Sequence, residues 1–163
     1  MKSSLSSLGA AAMLLGAAAS MADSADLTAD PGIRECSTGD RIQNLTVQCQ
    51  GPIIQITVRT NPSTGFDWYF RNFDPDQLAP GEKQYRSTSK DPTISGAPST
   101  GIYTARILQG GRTVFDFWYM RNWKGGEVAH GYRFTVIPDD SGSITGYHLK
   151  KLSHQDWKEE YRD

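Results

Sequence analysis

The sequence predicts an all-β protein, an immunoglobulin-like β-sandwich of about seven strands. Short runs in which apolar and polar residues alternate are separated by turns rich in glycine and proline. No segment before residue 140 keeps a 3.6-residue period, so no long amphipathic helix is expected there. Regularly spaced short strands with turn signals between them are typical of a sandwich.

The first 22 residues have the layout of a secretory signal peptide. Lys2 supplies a positive charge, an apolar run covers residues 8–19, and small residues precede a cleavage site near Ala22. The apolar run is too short to cross the ~30 Å of hydrocarbon in a bilayer. We therefore expect a secreted or periplasmic protein with no membrane anchor, in which residues 23–40 lead into the domain.

Cys36 and Cys49 are the only cysteines of the 163-residue chain. An even number of cysteines in an exported protein favours a disulfide between them, and two free thiols are the alternative. The bridge would close a loop at the N-terminal edge of the domain and stabilise the fold by about 3 kcal/mol. Asn44 begins a glycosylation sequon, which matters only in a eukaryotic secretory pathway.

The first half of the domain contains the clearest alternation. Strands are predicted at residues 45–49, 54–58 and 66–70, a weaker strand at 83–88, and loops at 72–81 and 91–101. Trp68 lies in the middle of the aromatic third strand, and its place in the alternation predicts that it is buried in the core.

The second half continues the same pattern as far as residue 138. Strands are predicted at residues 103–107, 115–119 and 132–136, with a Gly-Gly hairpin turn between the first two and a polar loop at 122–130. A Gly/Ser linker over residues 139–146 leads to a charged segment that is predicted to be helical or disordered from residue 148. The domain is therefore expected to span residues 41–138, with a charged C-terminal extension over 139–163.

Composition and motifs argue against several classes of function. The chain has 17 basic and 18 acidic side chains and a formal net charge of −1, which gives no footprint for nucleic acid or an anionic membrane. None of the three histidines stands at metal-ligand spacing, and no nucleophile elbow, zinc-protease motif or phosphate-binding loop is present. We therefore expect that the protein is not an enzyme and that it holds no metal ion or cofactor.

Three polar loops carry the features of a binding surface: the first loop (residues 61–65), the second loop (96–100) and the third loop (120–125). In the first loop, Pro62 fixes one φ angle and Gly65 permits any φ, so the loop should be stiff. A loop that is already ordered loses little entropy when it binds.

The third loop contains Trp123, which lies outside the strand alternation and close to Arg121. An aromatic residue paired with arginine on a loop is typical of an interface hot spot. The alternative is that Trp123 folds back to cover the end of the sandwich.

In this order, the three loops resemble the motifs of the chagasin family of cysteine protease inhibitors. The family's Asn-Pro-Thr-Thr-Gly-Phe/Tyr motif is matched by Asn61, Pro62, Ser63, Thr64, Gly65 and Phe66, its Gly-x-Gly-Gly-type loop by Gly96, Ala97, Pro98 and Ser99, and its Arg-Pro-Trp motif by Arg121, Asn122 and Trp123. The resemblance covers residues 44–137 and departs from the family pattern at Ser63, Pro98, Ser99 and Asn122.

The resemblance implies a monomeric, reversible, tight-binding inhibitor of papain-like cysteine proteases. The first loop would enter the active-site cleft of the protease, and the second and third loops would lie on either side of it. The matched residues are thus expected to bind the protease, and none is expected to be catalytic. The alternative is an immunoglobulin-like binding module that recognises a glycan or a cell-envelope protein through the same loops.

Overall fold

The computed structural model describes residues 32–91, 96–108 and 110–161. The predicted signal peptide lies outside the described residues, as does the lead-in before residue 32. The described residues form β1 (Asp40–Ile42), β2 (Leu45–Gln50), β3 (Ile53–Thr60), β4 (Phe66–Arg71), β5 (Leu78–Pro80), β6 (Gln84–Ser87), β7 (Ser99–Ile107), β8 (Thr113–Arg121), β9 (Val128–Pro138), β10 (Ile144–Leu152) and α1 (His154–Glu160).

The strands form two antiparallel sheets that face each other across the core. The six-stranded sheet has the order β1-β2-β3-β7-β5, and β6 also pairs with β7. The four-stranded sheet has the order β10-β9-β8-β4. This architecture confirms the predicted all-β sandwich.

Alternation along the strands decides which side chains fill the space between the sheets. In β2, Leu45 and Val47 are buried, whereas Thr46, the residue between them, is exposed. Trp68 of β4 is only 1% exposed. Its ring stacks on Phe117 of β8 at 4.9 Å between centroids, which confirms the prediction that Trp68 belongs to the core.

The C-terminal segment is an integral part of the sandwich. β10 pairs with β9 along its length, and Tyr147 and Leu149 are buried in the core. The prediction of helix or disorder from residue 148 is therefore wrong for β10 and right for α1. A register shift between Ile144 and Gly146 puts the strand out of phase, so its sequence shows no simple period of two.

Two further differences concern short or polar strands. β1 and β5 have three residues each, too few to show an alternating pattern. β7 begins at Ser99 and β9 at Val128, so the predicted polar loops before them are shorter than expected. Ser99 enters the strand because it pairs with Thr60 of β3, a partner that no local sequence signal reveals.

The segment before β1 is held against the sandwich at two points. Cys36 and Cys49 form a disulfide. The Nε atom of Arg34 donates to an Asp40 carboxylate oxygen at 2.6 Å, and the backbone of Arg34 pairs with Tyr147 of β10. Among the described residues, no helix is long and apolar enough to span a bilayer.

Candidate functional site

The strand registers bring the three predicted loops to the same end of the sandwich. Thr60, where β3 ends and the first loop begins, pairs with Ser99, which starts β7 inside the second loop. Phe66, which follows the first loop, pairs with Arg121, the residue at which β8 ends within the third loop. The first loop therefore crosses between the two sheets, with one hairpin loop of each sheet on either side of it.

The first loop is held in shape by its own polar groups. Pro62–Thr64 form one turn of 3-10 helix. The Ser63 hydroxyl donates to the side-chain oxygen of Asn61 at 2.6 Å, and the Thr64 hydroxyl donates to the Asn61 carbonyl at 2.7 Å. Pro62, Ser63 and Thr64 are exposed, so the rigid tip of the loop faces solvent.

The second loop touches the first through backbone and side-chain contacts. The side-chain amide of Asn61 donates to the Gly96 carbonyl at 3.3 Å. Gly96 has a φ of +82°, and a Cβ atom built on it would lie 3.6 Å from the Ser63 oxygen. The hydroxyl of Thr88 donates to the carbonyl of Pro98, which fixes the C-terminal part of the loop.

Arg121 connects the third loop to the first. Its Nε atom donates to the Thr64 carbonyl at 3.2 Å. Its guanidinium lies 4.6 Å from the centroid of the Phe66 ring, within the range of a cation–π interaction. It also forms an ion pair with Glu127 at 3.3 Å. These contacts make Arg121 a brace between two loops.

Trp123 packs over Gly65 while most of its ring faces solvent. The side chain is 57% exposed, yet a Cβ atom at Gly65 would lie 2.6 Å from the Trp123 Cη2 atom. Gly65 has a φ of +80°, which L side chains rarely adopt. Glycine is thus required at this position both by backbone conformation and by the ring that lies against it. Asn122, the residue before the ring, accepts a hydrogen bond from Arg71 of β4.

A buried carboxylate fixes the base of the first loop. Asp67, the second residue of β4, accepts hydrogen bonds from Thr60 at 3.3 Å, from Lys83 at 3.0 Å and from the hydroxyls of Tyr85 and Tyr103. The bond to Thr60 joins the two strands that the first loop connects, and the other donors come from the β6–β7 side.

Ionisation of Asp67 is favoured by these donors. Burial opposes the charged form, but hydrogen bonds from Tyr103, Tyr85 and Lys83 outweigh it and hold the pKa of Asp67 below its usual value. Sequence reasoning missed this residue, although a charged side chain within a run of aromatic residues was a signal that could have revealed it.

The structure brings the predicted site residues together, and their contact with a protease stays a prediction. Residues 92–95, which precede the second loop, lie outside the described residues. In the part of the chain that the structure describes, no three His, Cys, Asp or Glu side chains are placed to hold a metal ion.

Comparison with known proteins identifies the family. The profile of the chagasin family of peptidase inhibitors, I42, matches residues 49–137. Chagasin of Trypanosoma cruzi is 31% identical over 91 residues, which cover 53% of this chain and 79% of chagasin. The chain belongs to the chagasin family of peptidase inhibitors. This membership confirms the resemblance seen in the loop motifs.

The members of the chagasin family are inhibitors rather than enzymes, which confirms the prediction that this protein is not an enzyme. A solved structure, the cysteine protease inhibitor EhICP2 from Entamoeba histolytica, is 28% identical to this chain with a TM-score of 0.38. The match covers 47% of this chain and 68% of EhICP2. The matched range of the family profile ends before β10 and α1, so these two elements lie outside it.

Proposed function

We propose that this protein is a reversible, tight-binding inhibitor of papain-like cysteine proteases. The proposal joins the family membership to one structural observation, the convergence of three braced loops at one end of the sandwich. A narrow central loop flanked by two others has the shape needed to fill a cleft and to contact both of its walls. An interface of standard size between a protease and an inhibitor buries roughly 800 Å² on each partner.

In this proposal the first loop enters the active-site cleft with residues 62–65 at its tip. The hydrogen bonds inside the loop keep its backbone in one shape, so binding orders little that was mobile before. A helical turn does not present an extended peptide for cleavage, which would let the loop occupy a catalytic centre as an inhibitor and not as a substrate.

The second and third loops would contact the walls of the cleft. Trp123 is the anchor of the third loop, because a half-exposed indole can bury a large area when a partner covers it. Arg121 is already used to brace Thr64 and Phe66, so its main role in the proposal is to hold the loops together. The second loop offers Ala97 and Pro98 beside the tip of the first.

We also propose that the protein acts outside the cytoplasm. The N-terminal sequence has the layout of a signal peptide, and a disulfide such as Cys36–Cys49 persists in oxidising compartments. A culture that expresses the full chain should yield mature protein in the periplasm or medium, with an N-terminus near residue 23. Full-length protein confined to the cytoplasm would contradict export.

The proposed inhibition is tested by titration of the purified protein against papain and a cathepsin L-like enzyme. We expect inhibition at nanomolar concentrations that is reversed on dilution. No inhibition at micromolar concentrations would contradict the proposal. Binding to a glycan array without inhibition would instead support the alternative of a glycan-binding module.

Trp123→Ala gives the titration a residue-level test. The variant should lose more than about 1 kcal/mol of binding free energy, because Trp123 is the exposed aromatic anchor. Its melting temperature should stay close to that of the parent, since the ring is largely exposed and lies only at the surface, against Gly65 and Arg121. Unchanged inhibition with a lowered melting temperature would show that Trp123 is a packing residue.

A further inference from the structure

The outer face of the six-stranded sheet carries a local excess of basic side chains, which the net charge of −1 does not reveal. The strand side chains on this face are mainly threonine and glutamine, with four arginines, Arg41, Arg59, Arg86 and Arg106, which are all exposed. No Asp or Glu of the described strands points to this face. The face is therefore a one-sign surface on a nearly neutral protein.

Three of these arginines form a row across the strands. Thr100 of β7 pairs with Arg59 of β3 on one side and with Arg86 of β6 on the other, which places the two arginines about 10 Å apart. Arg41 of β1 lies two strands away from β3 on the opposite side, at the level of Thr57. The row thus has a positive charge on every second strand.

Hydroxyl and amide groups fill the spaces between these charges. A shallow groove of about 250 Å³ runs between Arg41 and Arg59, and Thr46, Thr57, Thr100 and Asn44 are among its lining residues. Such a groove offers hydrogen-bond donors and acceptors in addition to charge.

The arginines of the row are not used inside the protein. In residues 32–91, 96–108 and 110–161, Arg41, Arg59 and Arg86 form no ion pair with a carboxylate. By contrast, Arg34, Arg121 and Arg133 all have carboxylate partners. Charges that fold stability does not use are available for a ligand.

We propose that this arginine row binds a linear anionic polysaccharide, a chain that carries sulfate, carboxylate or phosphate groups at regular intervals. The roughly 10 Å spacing of the charges is comparable with the length of a disaccharide unit. Arginine forms bidentate hydrogen bonds with such anionic groups, and the threonine and asparagine side chains can bind sugar hydroxyls. Arg59 is two residues from Asn61, and Thr100 belongs to the second loop, so a bound polymer would lie next to the loops of the inhibitory end.

Other polyanions fit this face less well. Single-stranded nucleic acid is bound with aromatic side chains on which its bases stack, and the row has none. An anionic membrane is bound by a basic surface that also inserts large apolar side chains, and Ile102, the apolar residue beside the row, is 8% exposed.

The test compares binding of the protein to dextran sulfate, polygalacturonate, neutral dextran, single-stranded DNA and anionic phosphatidylglycerol vesicles. Protein made in bacteria is used, so that Asn44 carries no glycan. We expect binding to the two anionic polysaccharides that falls steeply with salt, and none to neutral dextran. Because three charges are lost, the triple variant Arg41→Ala, Arg59→Ala, Arg86→Ala should bind at least about tenfold more weakly.

The matched control removes three charges from the other side of the molecule: Lys150→Ala, Lys151→Ala, Lys158→Ala, all exposed on β10 or α1. This variant should bind the polysaccharides as the parent does, and thermal melting should show both variants folded. Equal losses in the two variants would overturn the proposal, as would no binding at low salt. Binding to DNA or vesicles as tight as to the polysaccharides would also overturn it.

Discussion

Gly65 combines a positive φ angle with close contact to the ring of Trp123 in the third loop. We expect Gly65→Ala to weaken inhibition at least about tenfold. The alanine would have to adopt a φ of +80°, and its methyl group would lie 2.6 Å from the Trp123 side chain. Inhibition constants against papain and thermal melting are the measurements.

Gly142→Ala is the matched control for this change. Gly142 has a φ of +85°, has nothing within 4 Å of a built Cβ atom and lies in the β9–β10 turn at the opposite end. Gly142→Ala should lose about 1 kcal/mol of folding free energy because of its positive φ, and it should inhibit as the parent does. Equal inhibition by both variants would mean that the shape of the first loop does not matter.

Asp67 makes stability at the base of the first loop depend on pH. Its folded-state pKa is lowered, so its contribution is fully present above the unfolded pKa of about 3.9 and is lost as pH falls through the folded value. Asp67→Asn should cost at least about 2 kcal/mol of folding stability at pH 7, because hydrogen bonds to a charged carboxylate are replaced by hydrogen bonds to a neutral amide.

Urea unfolding at pH 7 and at pH 3 tests this expectation. The difference between parent and Asp67→Asn should shrink at pH 3, because the carboxyl group of the unfolded parent is largely protonated there and the advantage of the lowered folded-state pKa is reduced. Asp140→Asn, at an exposed position in the β9–β10 turn, should change little at either pH. A difference that is the same at both pH values would show that the charge of Asp67 is not what stabilises the fold.

Among the elements, β10 and α1 make the C-terminal segment part of the folding unit. Tyr147 and Leu149 of β10 are buried in the main core. Trp157 of α1 packs edge-on against Trp118 at 5.2 Å, while Glu160 forms an ion pair with Arg133, which in turn pairs with the fully buried Asp116. These contacts cover the outer face of β8.

Two truncations separate the contributions of the strand and the helix. A chain that ends at residue 138 should lose about 5 kcal/mol or more of its free energy of unfolding, and it should no longer unfold cooperatively. The reason is that large core side chains are removed and β9 becomes an edge strand. A chain that ends at residue 152 should keep a cooperative transition at a lower melting temperature. If the shorter chain melts like the full one, the segment is dispensable for the fold.

The elements also show how far the sequence could lead. Strands with strict alternation, such as β2 and β3, were predictable because burial on one face leaves a period of two in the sequence. β10 was missed because its bulge shifts the phase, and Ser99 was placed in a loop because its strand partner is distant in sequence.

In the candidate site, the sequence motifs were sufficient to identify the three loops, but not the contacts between them. The bonds from Arg121 to Thr64 and from Asn61 to Gly96 depend on which strand ends meet, and this is a property of the sheet register. The four donors on Asp67 and the arginine row likewise combine residues from several strands. Only the fold shows that these residues are neighbours.

For the whole molecule, the sandwich acts as a frame with separate surfaces. One end carries the three braced loops, and the outer face of the six-stranded sheet carries arginines that form no ion pair with a carboxylate of the described residues. The other sheet is covered by α1. We propose that the loop end blocks the catalytic centre of a cysteine protease, which requires that the frame hold the three loops in one fixed arrangement.

The most direct measurement is the rate at which iodoacetamide alkylates the active-site cysteine of papain, with and without a slight excess of this protein. The account predicts that the cysteine is protected, that active papain is recovered on dilution, and that mass spectrometry finds the protein uncleaved. Alkylation of the cysteine at the rate of free papain, under conditions where the two proteins are bound, would contradict the account.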